Sequence, residues 1–249
     1  MSNKLPQIVL FQEDEKALNY RYKQDYQIGS DIQIKSLEYD YDEFAKTNEV
    51  ISNKRVSDNS LYFLHPYKNN VYLNESLGED YFLKEKLALY KRAAALLGAK
   101  SITTKVTFKE SRKLNTDVNG DVKYKVVEIE GGSKREIVNS YKNALEITEN
   151  FEIQENFDKA KNIKELNKFI QEHNLHHEID LISLIEARDS TNSGTLITSQ
   201  NVKSEITSEF NDLLEVSAKL NSPVFNISGG YKRKLEEVNT LMIDIDFIF

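Results

Sequence analysis

At 249 residues, with 39% apolar side chains and no cysteine, the chain can bury a core while having no disulfide, no thiol nucleophile and no cysteine-ligated metal. A formal charge of −7 argues against the basic surface that sequence-independent nucleic-acid binding requires. No run approaches the ~18 consecutive apolar residues of a membrane-spanning helix, and a charged fraction of 29% marks a soluble chain.

The opening stretch carries only a short apolar run before acids arrive, so it does not read as a secretory signal, and a cytoplasmic protein is expected. Richness in Asn, Lys, Glu and Ile suggests an AT-rich bacterial source. Ile8 to Phe11 reads as a buried strand. Tyr20, Tyr22, Tyr26, Ile28, Ile32, Ile34, Tyr39 and Tyr41, punctuated by Gly29, read as two more. Leu61 to Leu64 is another, closed by His65 and Pro66 because proline cannot continue a central ladder.

The clearest helix spans about Glu79 to Leu97. Leu83, Leu87, Tyr90, Ala94 and Leu97 form one stripe, and Gly98 stands where a C′ glycine belongs. Ile102, Thr104, Val106 and Phe108 then alternate with polar residues as a strand. An Asn119-Gly120 turn leads to a partner over Val122 to Ile129, and Gly131-Gly132 to a third strand over about Glu136 to Thr148. Ile163, Leu166 and Ile170 mark a helix ending near His173, and Ile179, Leu181, Ile182 and Ile185 a second ending near Arg188.

Val202 to Leu220 alternates apolar or small with polar positions, with a slip at Asp212-Leu213, and is taken as one long half-buried strand. A helical stripe of Val202, Ile206, Phe210, Leu213, Leu214 and Leu220 competes with it. Strands are expected at Val224 to Tyr231 and at Leu241 to Phe249, with Leu241, Ile243, Ile245, Phe247 and Phe249 on one face. The expected fold is a single α+β domain over residues 1–249: a large antiparallel sheet with long strands and about three helices packed on one face.

The candidate chemistry is sparse. His173, His176, His177 and Glu178 cluster in one segment, and imidazole with carboxylate at helical spacing is a metal-ligand pattern. The spacing matches neither H-E-x-x-H nor H-x-x-E-H, so a polar helix–helix connection is the plainer reading. Glu38 to Glu43 gathers four carboxylates that suit a hard cation but lacks the glycine and spacing of a calcium loop. His65 is a candidate general base without a motif-linked partner, and a turn histidine by default. There is no G-x-G-x-x-G, no P-loop and no G-x-S-x-G.

These readings lean away from an enzyme and imply no cofactor. The expected function is a non-catalytic interaction protein or assembly subunit, working on a protein partner or as a homo-oligomer through the tyrosine-rich N-terminal third. One alternative is a latent pore-forming effector. Its Ser/Thr-bearing alternating strands resemble, in style only, the convertible strands of pore-forming folds such as gasdermins and perforin-like proteins, and it would meet a membrane. The other is an enzyme with a metal-dependent site around the histidine segment.

Overall fold

The computed structural model describes residues 5–22, 29–116, 122–152, 158–189, 196–220 and 229–249. The chain is mixed α and β, with two sheets and, among the described residues, eight α-helices. It divides into two compact units. The first is built from residues 1–82, 111–127 and 208–239, the second from residues 83–110, 128–207 and 240–249.

The first unit is organised around β1 (Ile8–Gln12). The chain continues through α1 (Asp14–Tyr22), β2 (Ile32–Ser36), α2 (Tyr41–Thr47), β3 (Glu49–Ile51), β4 (Ser60–Leu64), β5 (Val71–Asn74) and the start of α3 (Glu75–Leu96). Its sheet has the order β2-β1-β4-β5-β3. The α1 crossover makes β2 parallel to β1, while β4 is antiparallel to both β1 and β5, and β3 lies parallel to β5. All five residues of β1 are buried, as a strand covered on both faces must be.

Because side chains alternate along a strand, the two faces of β1 lie in different clusters. Ile8 and Leu10 pack with Leu61, Phe63, Leu73 and the helical residues Phe210, Leu214 and Tyr231. Val9 and Phe11 pack with Phe44, Tyr62 and Tyr72. Edge-to-face rings hold the second cluster, with Phe11 centred 5.6 Å from Phe44 and 5.8 Å from Tyr62. Three of the N-terminal tyrosines, Tyr62, Tyr67 and Tyr72, are therefore core and fully buried.

The second unit takes up the rest of α3 and continues with β6 (Ser101–Thr116), whose far end pairs with β7 (Val122–Val127) in the first unit. Then come α4 (Gly131–Leu145), β8 (Thr148–Asn150), α5 (Lys159–Glu172), α6 (Ile179–Arg188) and β9 (Ser199–Glu205). The chain closes with α7 (Ser208–Ser217) and α8 (Gly229–Glu236) in the first unit, then β10 (Glu237–Ile248). The second sheet has the order β7-β6-β10-β9, with β8 on β6.

The stripe expected on α3 is all buried, from Leu83 through Leu87, Tyr90 and Ala94 to Leu97. Its end is a Schellman motif. Gly98 takes φ 74° and donates to Ala95 O at 3.1 Å, and Ala99 donates to Ala94 O at 3.0 Å. The face Leu241, Ile243, Ile245, Phe247 and Phe249 is also buried along and just beyond β10.

Several expectations are corrected. The described residues form two sheets and eight α-helices rather than one large antiparallel sheet with about three, because segments with strand-like alternation are helical. Val202–Leu220 is not one strand: β9 ends at Glu205 and α7 begins at Ser208. The buried residues of α7 are Phe210, Asn211, Leu213, Leu214 and Ser217, so the slip at Asp212-Leu213 was the phase of a helix. Glu136–Thr148 belongs mostly to α4, where half-buried Ile137, Val138 and Tyr141 and buried Leu145 share one helical face. Of the two tyrosine-rich strands, β2 forms among the described residues, Tyr20 lies in α1, and Tyr26 and Ile28 fall outside the described residues. The turn at Asn119-Gly120 and the strand from Val224 to Ser228 also fall outside them, and Gly229 to Tyr231 opens α8.

Tyr72 supplies a test of this core. Its hydroxyl donates to Pro6 O at 2.8 Å, and burial pushes it up to about 12 from the usual 10.0. The unfolded chain loses this proton first, so the contribution is complete below pH 10 and disappears as pH rises from about 10 to about 12. Tyr72→Phe is expected to remove a component of about 2–3 kcal/mol from the alkaline fall in stability, read by denaturant unfolding across that pH window.

Candidate functional site

The histidine segment lies between two helices. His173 closes α5, its N–H reaching Phe169 O at 3.0 Å and its ring 4.6 Å from the Phe169 ring. Asn174 then takes a left-handed backbone (φ 53°), and a 3-10 turn runs from Leu175 to His177. That residue interrupts the helix, so His173 and His177 are not stacked on successive turns of one helix. Leu175 is buried, His176 and His177 are exposed, and Glu178 is buried. Among the described residues, no three of His173, His176, His177 and Glu178 bring ligand atoms within 4.8 Å of one another.

Glu178 turns inward instead. Its Oε1 lies 2.8 Å from Lys86 Nζ, with side-chain exposures of 7% and 3%. The Tyr90 hydroxyl donates to Oε2 at 2.9 Å, Ser204 Oγ donates to the same oxygen at 3.4 Å, and Lys86 donates to Glu205 O at 2.9 Å. Burial, followed by the negative charge of Glu178, pushes the Tyr90 hydroxyl far above its ordinary range, so it remains a donor. His177 Nε2 stands 3.7 Å from Oε1 at the exposed end of this network. The sequence pattern places Tyr90 on the apolar stripe of α3 but shows no polar role for it or for Lys86. The available signal was a lysine one turn from both Leu83 and Tyr90 on the apolar side of α3.

His65 is buried and accepts the Tyr67 N–H at Nδ1, 3.0 Å away. That bond fixes the proton on Nε2 in the neutral ring. With Tyr67, Tyr81 and Phe82 edge-on at 5.6–6.0 Å, the ring serves the turn after β4.

The second polar constellation sits in the first unit, where parallel β1 and β2 end together at Gln12 and Ser36. The expected acidic run is divided by the turn into α2. Asp40 Oδ2 accepts the Ser36 N–H at 2.7 Å, while Asp42 and Glu43 enter the first turn of α2, favoured there by the helix dipole. Asp14, in the first turn of α1, accepts from Ser36 Oγ and from the Glu38 N–H at 3.3 Å. The Glu38 carboxyl also hydrogen-bonds to Asp14, which with the Asp14 charge raises it above its ordinary range. Two carboxyls are thus held side by side, and one keeps its proton more readily than in water.

A neighbouring chain of bonds fixes the amide of Gln12. Asp58 accepts from Lys16 Nζ at 2.7 Å, from the Glu13 N–H at 2.9 Å and from Asn59 Nδ2 at 2.8 Å. Desolvation pushes Asp58 upward, but the Lys16 and backbone hydrogen bonds outweigh it and hold the carboxyl below its usual range. As Asn59 gives its NH₂ to a carboxylate, its Oδ1 must face Gln12, which donates Nε2 at 3.2 Å. Gln12 is 1% exposed, and its Oε1 finds no partner among the described residues. An unsatisfied buried acceptor costs about 1–3 kcal/mol.

For the Lys86–Glu178 pair, Lys86→Ala should destabilise the protein by about 3–5 kcal/mol, because it strands a buried carboxylate. The double variant Lys86→Met with Glu178→Leu should recover most of that loss in denaturant unfolding, since the uncompensated charge is then gone. Comparison with protein-family models, curated proteins and solved structures finds no match for this chain, so what it does has to be argued from these residues.

Proposed function

We propose that the protein is a non-catalytic interaction protein or assembly subunit that works through protein–protein contacts, with Tyr39 as an anchor. The observation behind this reading is the exposure of Tyr39, 74%, on a turn held by hydrogen bonds. Leu37 N–H reaches Gln12 O at 2.8 Å, Tyr39 N–H reaches Ser36 Oγ at 3.0 Å, and Asp40 N–H reaches Ser36 O at 3.2 Å. A large amphipathic side chain on a fixed backbone loses little freedom on binding, a property that favours tyrosine as an interface anchor. Glu38, Asp42 and Glu43 surround it in sequence and favour a partner surface carrying lysine or arginine.

Tyr39→Ala should weaken a partner complex, or self-association, by about 2 kcal/mol, roughly 30-fold in Kd. Its unfolding midpoint should not change, because the side chain is mostly in water. Light scattering after size exclusion and affinity measurement on the co-purified complex give the two readouts. A monomer that turns over a substrate with Tyr39→Ala unimpaired would count against the proposal.

A second reading, a latent membrane-perturbing role, is favoured by the length of β6. Its 16 residues exceed the 9–11 or so of a membrane strand, and Ile102, Thr104 and Val106 are buried in alternation with exposed Thr103 and Lys105. No described helix is long and apolar enough to cross a membrane. Dye release from liposomes, before and after limited proteolysis, tests this role: release supports it, and intact vesicles across neutral and anionic lipids retire it.

A further inference from the structure

We infer that the outer face of the β6–β7 ribbon is a docking surface for a second copy of this chain, and that it receives the Tyr39 turn of that copy. The inference rests on the reading of Tyr39 as an anchor and names its partner. Pairing in the ribbon sets Lys113 directly opposite Lys125, and Asn115 opposite Lys123. Directly opposed residues of an antiparallel pair share a face, and so do residues two apart on one strand, so three ammonium groups share this one. The other face is committed to the fold. There Tyr124 packs against the core and donates its hydroxyl to Leu235 O, and Arg112 pairs with Glu215.

Like charges directly opposite each other destabilise a ladder, and the fold relieves only part of this. Lys113 has Glu237 at 3.6 Å, both of them exposed, whereas Lys123 and Lys125 are exposed and form no ion pair among the described residues. The matching charges are on the same chain. Glu38, Asp42 and Glu43 are exposed around Tyr39, and Asp42 and Glu43 likewise form no ion pair among the described residues. A tyrosine flanked by carboxylates suits a face of lysines: the ring lies along their methylenes and beneath their ammonium groups, while the carboxylates meet the charges. With a net charge of −7 the copies repel each other as a whole, so association requires this local match. Screening over about 10 Å at 0.1 M salt weakens the general repulsion and leaves contacts between touching groups.

The test is self-association of the purified chain, measured by sedimentation equilibrium, in which wild type should associate reversibly. Glu38→Lys with Asp42→Lys, and separately Lys123→Glu with Lys125→Glu, should each weaken association by about tenfold or more. An equimolar mixture of these two variants should recover it, because the reversed turn then meets the reversed ribbon and the native turn the native ribbon. Lys161→Glu with Lys164→Glu, at exposed positions of α5, changes net charge as much as the ribbon variant does and should leave association unchanged. Thermal unfolding of every variant checks its fold. A chain that stays monomeric overturns the inference, as does a mixture that does not recover or an α5 variant that weakens association equally. If a monomeric chain still forms a complex with a different protein, and Tyr39→Ala weakens it, the anchor reading stands and only the second copy is excluded. If Tyr39→Ala changes neither kind of association, the anchor reading fails as well.

Discussion

The first unit depends on the burial of one strand. β1 carries Ile8, Val9, Leu10, Phe11 and Gln12 in succession, all but sealed from water. A strand in that position leaves neither face to solvent, so apolar cover is required above and below it. That requirement divides the core in two. One side is filled by aliphatic and aromatic residues of α7 and α8, the other by the ring cluster of Phe44, Tyr62 and Tyr72. The aromatic residues of the N-terminal third are spent largely on this cover, leaving Tyr39 as the one large side chain of its turn directed to water.

The same burial generates the polar constellation at the end of the sheet. Gln12 is the last residue of β1, and the ladder carries it inside although its amide needs partners. Asn59, itself held by Asp58, satisfies one half of that amide, and the other half has no partner among the described residues. A polar residue at the end of a buried strand thus organises the α1 start, the turn after β2 and the segment before β4. The acids of residues 38–43 take different roles because the turn separates them: Asp40 closes the turn, Asp42 and Glu43 favour the start of α2, and Glu38 meets Asp14.

In the second unit the comparable feature is the Lys86–Glu178 pair. Taking two charges from water costs several kcal/mol per ion, and the pair persists because nearly every remaining donor and acceptor is met by Tyr90, Ser204 and the Glu205 carbonyl. It also decides the orientation of the histidine segment. With Glu178 drawn inside, His176 and His177 are left at the surface, and the left-handed Asn174 keeps His173 on the preceding helix. For that reason the three imidazoles and Glu178 do not gather into one ligand set.

The elements legible in the sequence were those whose periodicity has one interpretation. Nineteen residues of helical stripe with a C′ glycine specified α3 down to its Schellman end, and five alternating apolar residues specified β10. Where the pattern was shorter it served two readings. Phe210, Leu214, Val216, Ala218 and Leu220 alternate evenly enough to extend a strand, and the packing of Phe210 against Phe63 and Phe82 goes with the helix. Residues of α4 were ambiguous in the same way, since a mostly exposed helix has little apolar stripe to show. The sequence by itself determined which residues are apolar, how strongly some of them repeat and which chemistries are excluded by the missing residue types. Tertiary structure alone decided which polar groups were buried and with what partners, because Lys86 meets Glu178 and Gln12 meets Asn59 across separations that no local pattern encodes.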